Sequence, residues 1–156
     1  MFRITLITQA HAGDAVAILE LQKRAYQTEA RIYNDFSIPP LTQTPDEIRT
    51  QFQTHIFLKA VYEGAIIGSV RAYDADGTCY IGRLIVHPDC QSRGIGRRLI
   101  NGIEKYFENS GRFELFTGSK SGKNVQFYQN LGYHIFKYER LNDAIEFVYL
   151  EKIPVF

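Results

Sequence analysis

One junction constrains this chain more than any other feature. The apolar run Leu84-Ile85-Val86 reads as the end of a strand. His87-Pro88 stops it, the glycine-bearing segment Gln91 to Gly96 follows, and a helix with apolar spacing begins near Arg97. A helix N-terminus leaves several backbone N–H groups without partners and carries partial positive charge. Glycines there let the backbone wrap closely around an anion such as a pyrophosphate. Arg93, Arg97 and Arg98 crowd the same point. Cations at that end oppose the helix dipole by roughly 0.3–1 kcal/mol each, a cost that a bound anion reverses. The alternative is a solvated basic helix end beside an ordinary glycine turn.

Two commoner phosphate motifs do not fit. A dinucleotide fingerprint continuing from Gly94 and Gly96 requires a third glycine where Leu99 stands, and the strands before it form a meander instead of a βαβ unit. Gly118 to Asn124 looks like a nucleotide P-loop, but its glycine spacing is one residue short. Asn124 also replaces the metal-binding Ser or Thr, so this stretch reads as a polar loop before a helix.

The rest of the chain completes an α/β domain. Phe2 to Ile7 alternates as a first strand, and Asp14 is placed to cap a helix carrying Ile18, Leu21, Ala25 and Tyr26. Residues 33–43 read as a loop. Thr44-Pro45-Asp46-Glu47 is a helix start, with Thr as cap and Glu three residues later. Strands are expected over Ile56–Tyr62, Ile66–Tyr73 and Cys79–Val86, the last buried on both faces because of its apolar run. A helix from Arg97 to about Asn109, stopped by Gly111, leads to a strand at Phe113–Thr117. A short helix over Asn124–Leu131 and strands at His134–Tyr138 and Ile145–Leu150 end the chain. The order is β-α-α-β-β-β-α-β-α-β-β, a mixed sheet (α+β) in one domain over residues 1–156, with no repeat or linker.

These residues resemble the GCN5-related N-acetyltransferase (GNAT) superfamily. Its Gln/Arg-x-x-Gly-x-Gly/Ala signature is matched by Gln91-Ser92-Arg93-Gly94-Ile95-Gly96. A second pattern, Asn-x-x-x-Phe-Tyr-x-x-x-Gly-Phe/Tyr, is similar to Asn124 through Tyr133, although the spacing here is one residue shorter before Phe127-Tyr128. The resemblance implies acetyl-CoA as cosubstrate and direct transfer of its acetyl group to a primary amine, with both substrates bound. It places the pyrophosphate on backbone amides from Arg93 to Arg97, including Gly94, Ile95 and Gly96, with Gln91 heading the loop. The backbone of Leu84 and Val86 would pair with the pantetheine arm, Asn124 would contact that arm or the adjacent backbone, and Tyr128 would stand near the thioester sulfur as proton donor. Tyr128 also has a bland reading as a core aromatic on an amphipathic helix.

The pattern departs where some relatives carry a base glutamate on the central strand. Counting back from Gln91, that position is Gly82, which marks a bulge, leaves room for substrate, or is a plain strand glycine. His87, His55, Glu114, Asp35 and Glu29 remain as candidate bases, directly or through water. A non-catalytic acyl-CoA-binding or sensing domain is the competing function. Net charge of +1, from 18 basic and 17 acidic residues, argues against nucleic acid or an acidic membrane as partner. Cys79 and Cys90 read as free thiols, no Cys/His cluster calls for a metal, and no signal or membrane-spanning run marks the chain, so a cytoplasmic location is expected. The acceptor is expected to be a small-molecule or peptide amine, and a homodimer is compatible with the family.

Overall fold

A computed structural model of the chain describes residues 4–154. Strand β1 spans Leu6–Gln9; Phe2 and Arg3, the start of the expected first strand, lie outside the described residues. Helix α1 runs from Ala15 to Ala25 and α2 from Gln27 to Tyr33. A single turn, α3, covers Pro39–Thr42, and α4 covers Pro45–Gln51. The meander follows as β2 (Ile56–Tyr62), β3 (Ala65–Ala75) and β4 (Thr78–Val86). Then come α5 (Ile95–Tyr106), β5 (Arg112–Gly118), α6 (Gly122–Asn130), β6 (His134–Arg140) and β7 (Glu146–Lys152).

Local chemistry accounts for several boundaries. At α4 the capping box forms as expected: Glu47 N–H donates to Thr44 Oγ1 at 3.2 Å, and Thr44 N–H to Glu47 Oε1 at 2.9 Å. Such a cap contributes about 1 kcal/mol. Glu63-Gly64 and Asp76-Gly77 both have positive φ, the geometry that two-residue hairpin turns require. Asp14 does not cap α1 with its side chain. A 3-10 turn precedes the helix, and the Asp14 carboxylate accepts from His11 N–H (3.0 Å) and Lys59 Nζ (2.9 Å).

The seven strands form one sheet in the order β1-β2-β3-β4-β5-β7-β6. Every neighbouring pair is antiparallel except β4–β5. The crossover between that parallel pair carries α5, whose Ile95, Leu99, Ile100 and Ile103 are buried against Leu58, Val70, Ala72 and Ile81. Each such side chain contributes roughly 1.5–3 kcal/mol on burial. The opposite face of β2 and β3 is covered by α1 and α4 around Ile18, Leu19, Ile48 and Phe57.

Three expectations are corrected. Within the expected loop 33–43, residues 39–42 form a helical turn started by Pro39-Pro40, and Tyr33 is the last residue of a second helix that resumes after a break at Tyr26. Helix α5 ends at Tyr106, and Gly111 is not its stop; the Gly111 N–H instead bonds the Gly77 carbonyl at 2.8 Å. Finally, Leu84 and Val86 are only half-buried, so the apolar end of β4 is not covered on both faces.

Candidate functional site

The half-buried end of β4 coincides with a gap in the sheet. Strands β4 and β5 pair only from Thr78↔Arg112 to Tyr80↔Glu114. Beyond that point β4 runs on to Val86 and β5 to Gly118 without ladder pairing. Strand β5 is paired on its other edge with β7, and β4 with β3. The β5-facing backbone edge of β4 from Gly82 to Val86 therefore has no strand partner among the described residues. An unpaired edge of this kind accepts an extended ligand as an added strand.

A bulge sits at the head of the wedge. Arg71 faces Gly82 and Ser69 faces Ile85, so Arg83 and Leu84 together oppose Val70 alone. Arg83 takes φ +52°, a left-handed conformation rare outside glycine. A Cβ built on Gly82 meets nothing within 4 Å. Of the readings open for Gly82, the bulge and the free space both hold.

At the wedge's lower end the glycine loop folds as a tight turn. Ser92 (φ +64°) and Gly94 (φ +78°) reverse the chain, and the first helical hydrogen bond runs from Arg98 N–H to the Gly94 carbonyl at 3.1 Å. The N–H groups of Ile95, Gly96 and Arg97 precede that bond and have no partner among the described residues, as at any helix start. Gln91, Arg93, Gly94 and Arg97 are exposed, Gly96 is half-buried, and Ile95 is buried as the anchor of α5. The Gln91 side chain donates to the Val86 carbonyl at 3.4 Å, tying the loop to the strand. Gly96 packs so closely on α6 that a Cβ there would lie 3.3 Å from Phe127 Cζ.

Helix α6 forms the far wall. Tyr128 stands between Phe127 and Tyr133, with ring centroids 5.2 and 6.1 Å away. Burial, assisted by Tyr26 and Glu29, holds its hydroxyl well above the usual tyrosine range, so it stays protonated. Asn124 Nδ2 donates to Glu29 Oε1 at 3.2 Å and to Thr117 Oγ1 at 3.4 Å, joining α2, β5 and α6. Ser121 Oγ adds a 2.6 Å hydrogen bond to the same Glu29 oxygen.

The other candidate bases are placed differently. His87 is tied on both ring nitrogens, to Asp89 N–H at 3.1 Å and Arg24 Nη1 at 3.0 Å. His55 packs edge-on to Tyr73, and burial together with Arg71 lowers its pKa. Glu114 is held by Arg112 at 2.8 Å. Asp35 accepts from the Ser37 backbone and hydroxyl in its own turn, which lowers its pKa. Glu29 is the one of the five whose charge acts on Tyr128. The sequence did not distinguish Glu29 from the rest, because its position depends on α2 docking 92 residues away in the chain, at Ser121.

The Acetyltransferase (GNAT) domain model matches residues 30–154. The chain belongs to this family. Among solved structures, PaiA N-acetyltransferase from Thermoplasma acidophilum, in complex with coenzyme A, superposes with a TM-score of 0.80 at 15% identity, covering 97% of this chain and 99% of that one. YncA from Salmonella typhimurium, with its cofactor acetyl-CoA, gives 0.76 at 16% identity over 96% of this GNAT chain and 94% of its own. A curated relative, the UPF0157 protein YqkA of Bacillus subtilis, is 28% identical over 130 residues, 83% of this chain. The GNAT chain spans 37% of the length of that relative. Among the described residues no helix is long and apolar enough to cross a membrane.

Proposed function

We propose that this GNAT domain transfers the acetyl group of acetyl-CoA to a primary amine, directly, with both substrates bound. The observation that carries the reading is the unpartnered edge of β4 from Gly82 to Val86, which ends at the free N–H groups of Ile95, Gly96 and Arg97. That edge fits the amide-rich pantetheine arm, and the helix start fits the pyrophosphate. The backbone of Leu84 and Val86 takes the arm, and Arg93 and Arg97 add charge at the phosphates.

In the reaction the amine nitrogen attacks the thioester carbonyl carbon. The C–N bond forms, the C–S bond breaks, and the electron pair of the latter leaves on sulfur. The amine is mostly protonated at neutral pH, so it must lose a proton before it attacks and another afterwards. Glu29, at the mouth of the wedge, receives these protons directly or through water. The Tyr128 hydroxyl donates a hydrogen bond to the departing thiolate, and the two protons released from the amine nitrogen balance the thiol and the solvent. The domain, taken as residues 1–156, is read as a cytoplasmic enzyme acting on a small-molecule or peptide amine.

The competing reading is an acyl-CoA sensor without turnover, which the glycine at position 82 keeps in view. The test is release of free thiol from acetyl-CoA on mixing with amines. Amine-dependent release supports transfer; tight acetyl-CoA binding with no release for any amine supports the sensor.

A further inference from the structure

Arg71 is 3% exposed, yet among the described residues no carboxylate forms an ion pair with it. Its guanidinium lies 4.7 Å over the Phe57 ring, Nη2 donates to Gln22 Oε1 and Nη1 to Gln51 Oε1. The Nε–H is buried with no hydrogen-bond partner, the one such side-chain atom among the described residues. Elsewhere the partly buried cations are matched: Arg112 with Glu114 and Glu151, Lys59 with Asp14, Lys152 with Glu104. Burial pulls the Arg71 pKa down to about 9, and the charged neighbour that adds to this is a second cation, Arg83. Arg83 is brought there by the bulge and lies 5.9 Å from the centroid of the Tyr26 ring, also without an acidic partner among the described residues. Two adjacent guanidinium groups without a carboxylate repel each other and face desolvation with neutral partners only. A structure that keeps them together holds a place for an anion.

The space for it is next to both. Gly82 is the register partner of Arg71, and apart from its chain neighbours Ile81 and Arg83 no atom lies within 4 Å of a Cβ built on it. We infer that the notch over Gly82, bounded by Arg71, Arg83 and Tyr26, binds the carboxylate of the acceptor, which makes the acceptors amino acids with amine and carboxylate a few bonds apart. The separation is set by the strand: Arg83 adjoins Leu84 on the wedge, and one residue of strand is about 3.3 Å. A compact zwitterion matches the two sides of the pocket, with its carboxylate at Arg83 and its amine toward Glu29 and Tyr128. Arg83 makes the contact, and Arg71 behind it adds buried positive charge. The inference rests on the transfer reading above, whose acceptor it specifies.

The experiment measures thiol release from acetyl-CoA with the twenty L-amino acids and with their amides. Alongside, thermal shifts of the CoA-loaded protein are recorded with N-acetyl amino acids and N-acetyl amino acid amides. The free acids are expected to exceed the amides by about tenfold or more in kcat/KM, as loss of a charge-assisted bidentate contact implies. Arg83→Gln brings the acid-to-amide ratio near unity, and Arg83→Lys retains part of it. Shifts with N-acetyl acids but no turnover uphold the anion notch and defeat the transfer reading. Robust turnover in which amides match acids, or an Arg83→Gln ratio equal to that of the parent, overturns the anion notch and leaves the transfer reading standing.

Discussion

Tyr33 and Gly118 fit each other so closely that a Cβ on residue 118 would lie 2.1 Å from the Tyr33 hydroxyl oxygen. The same hydroxyl accepts from Lys120 N–H at 3.1 Å. This contact fastens α2, and with it Glu29, to the end of β5. Gly118→Ala is expected to push Tyr33 out and destabilise the fold by about 1–3 kcal/mol. Urea denaturation measures this, and an unchanged midpoint contradicts the packing account.

Gly96 is the second close approach, with 3.3 Å between its notional Cβ and Phe127 Cζ. Gly96→Leu should displace Phe127 and obstruct the N-terminus of α5. Calorimetry is expected to show acetyl-CoA affinity reduced by about tenfold or more, or about 1.4 kcal/mol. Circular dichroism of the variant should stay near that of the parent, since Gly96 lies at the surface end of the helix.

Tyr128 and Glu29 separate binding from turnover. Tyr128→Phe is expected to keep acetyl-CoA affinity and to lower kcat by roughly 10²-fold or more, the range of a positioned proton donor. Glu29→Gln retains an acceptor oxygen for Ser121 and Asn124 but cannot take a proton, so kcat should fall while the fold stands. Steady-state kinetics with both substrates varied checks each; a kcat within twofold of the parent would remove that residue from the mechanism.

The alkaline limb of stability has a specific source. Burial pushes the Cys79 thiol up from 9.0 to about 12, with Asp74 and Glu104 adding to the effect. The folded state therefore holds that proton more tightly than the unfolded chain does. Its contribution is complete below about pH 9 and is lost as pH rises toward 12, at up to about 1.4 kcal/mol per pH unit. Tyr128 and Tyr133, raised in the same direction, add to the decline above about pH 10. Denaturation midpoints at pH 8 and 10.5 should differ less in Cys79→Ala than in the parent. Equal differences would exclude Cys79.

Much of this architecture was legible from local patterns. The strand–glycine–helix junction and the capping box at Thr44 depend on neighbours within a few residues, and each formed as read. The misreadings have long-range causes. Leu84 and Val86 looked like a buried strand because apolarity reports burial in the finished molecule, whereas here that surface lines an open wedge. Arg71 carries no local signal, because its surroundings come from its register with Gly82 and from glutamines far off in sequence. Gly118, read as part of a polar loop, is set by Tyr33, which is 85 positions earlier in sequence.

The central claim is that the β4–β5 wedge and the start of α5 hold acetyl-CoA. The direct measurement is a calorimetric titration of the folded protein with acetyl-CoA, with adenosine diphosphate and NAD as controls. The account predicts saturable binding in the micromolar range, about −8 kcal/mol, with NAD silent. No heat at millimolar acetyl-CoA from a protein shown to be folded would contradict it.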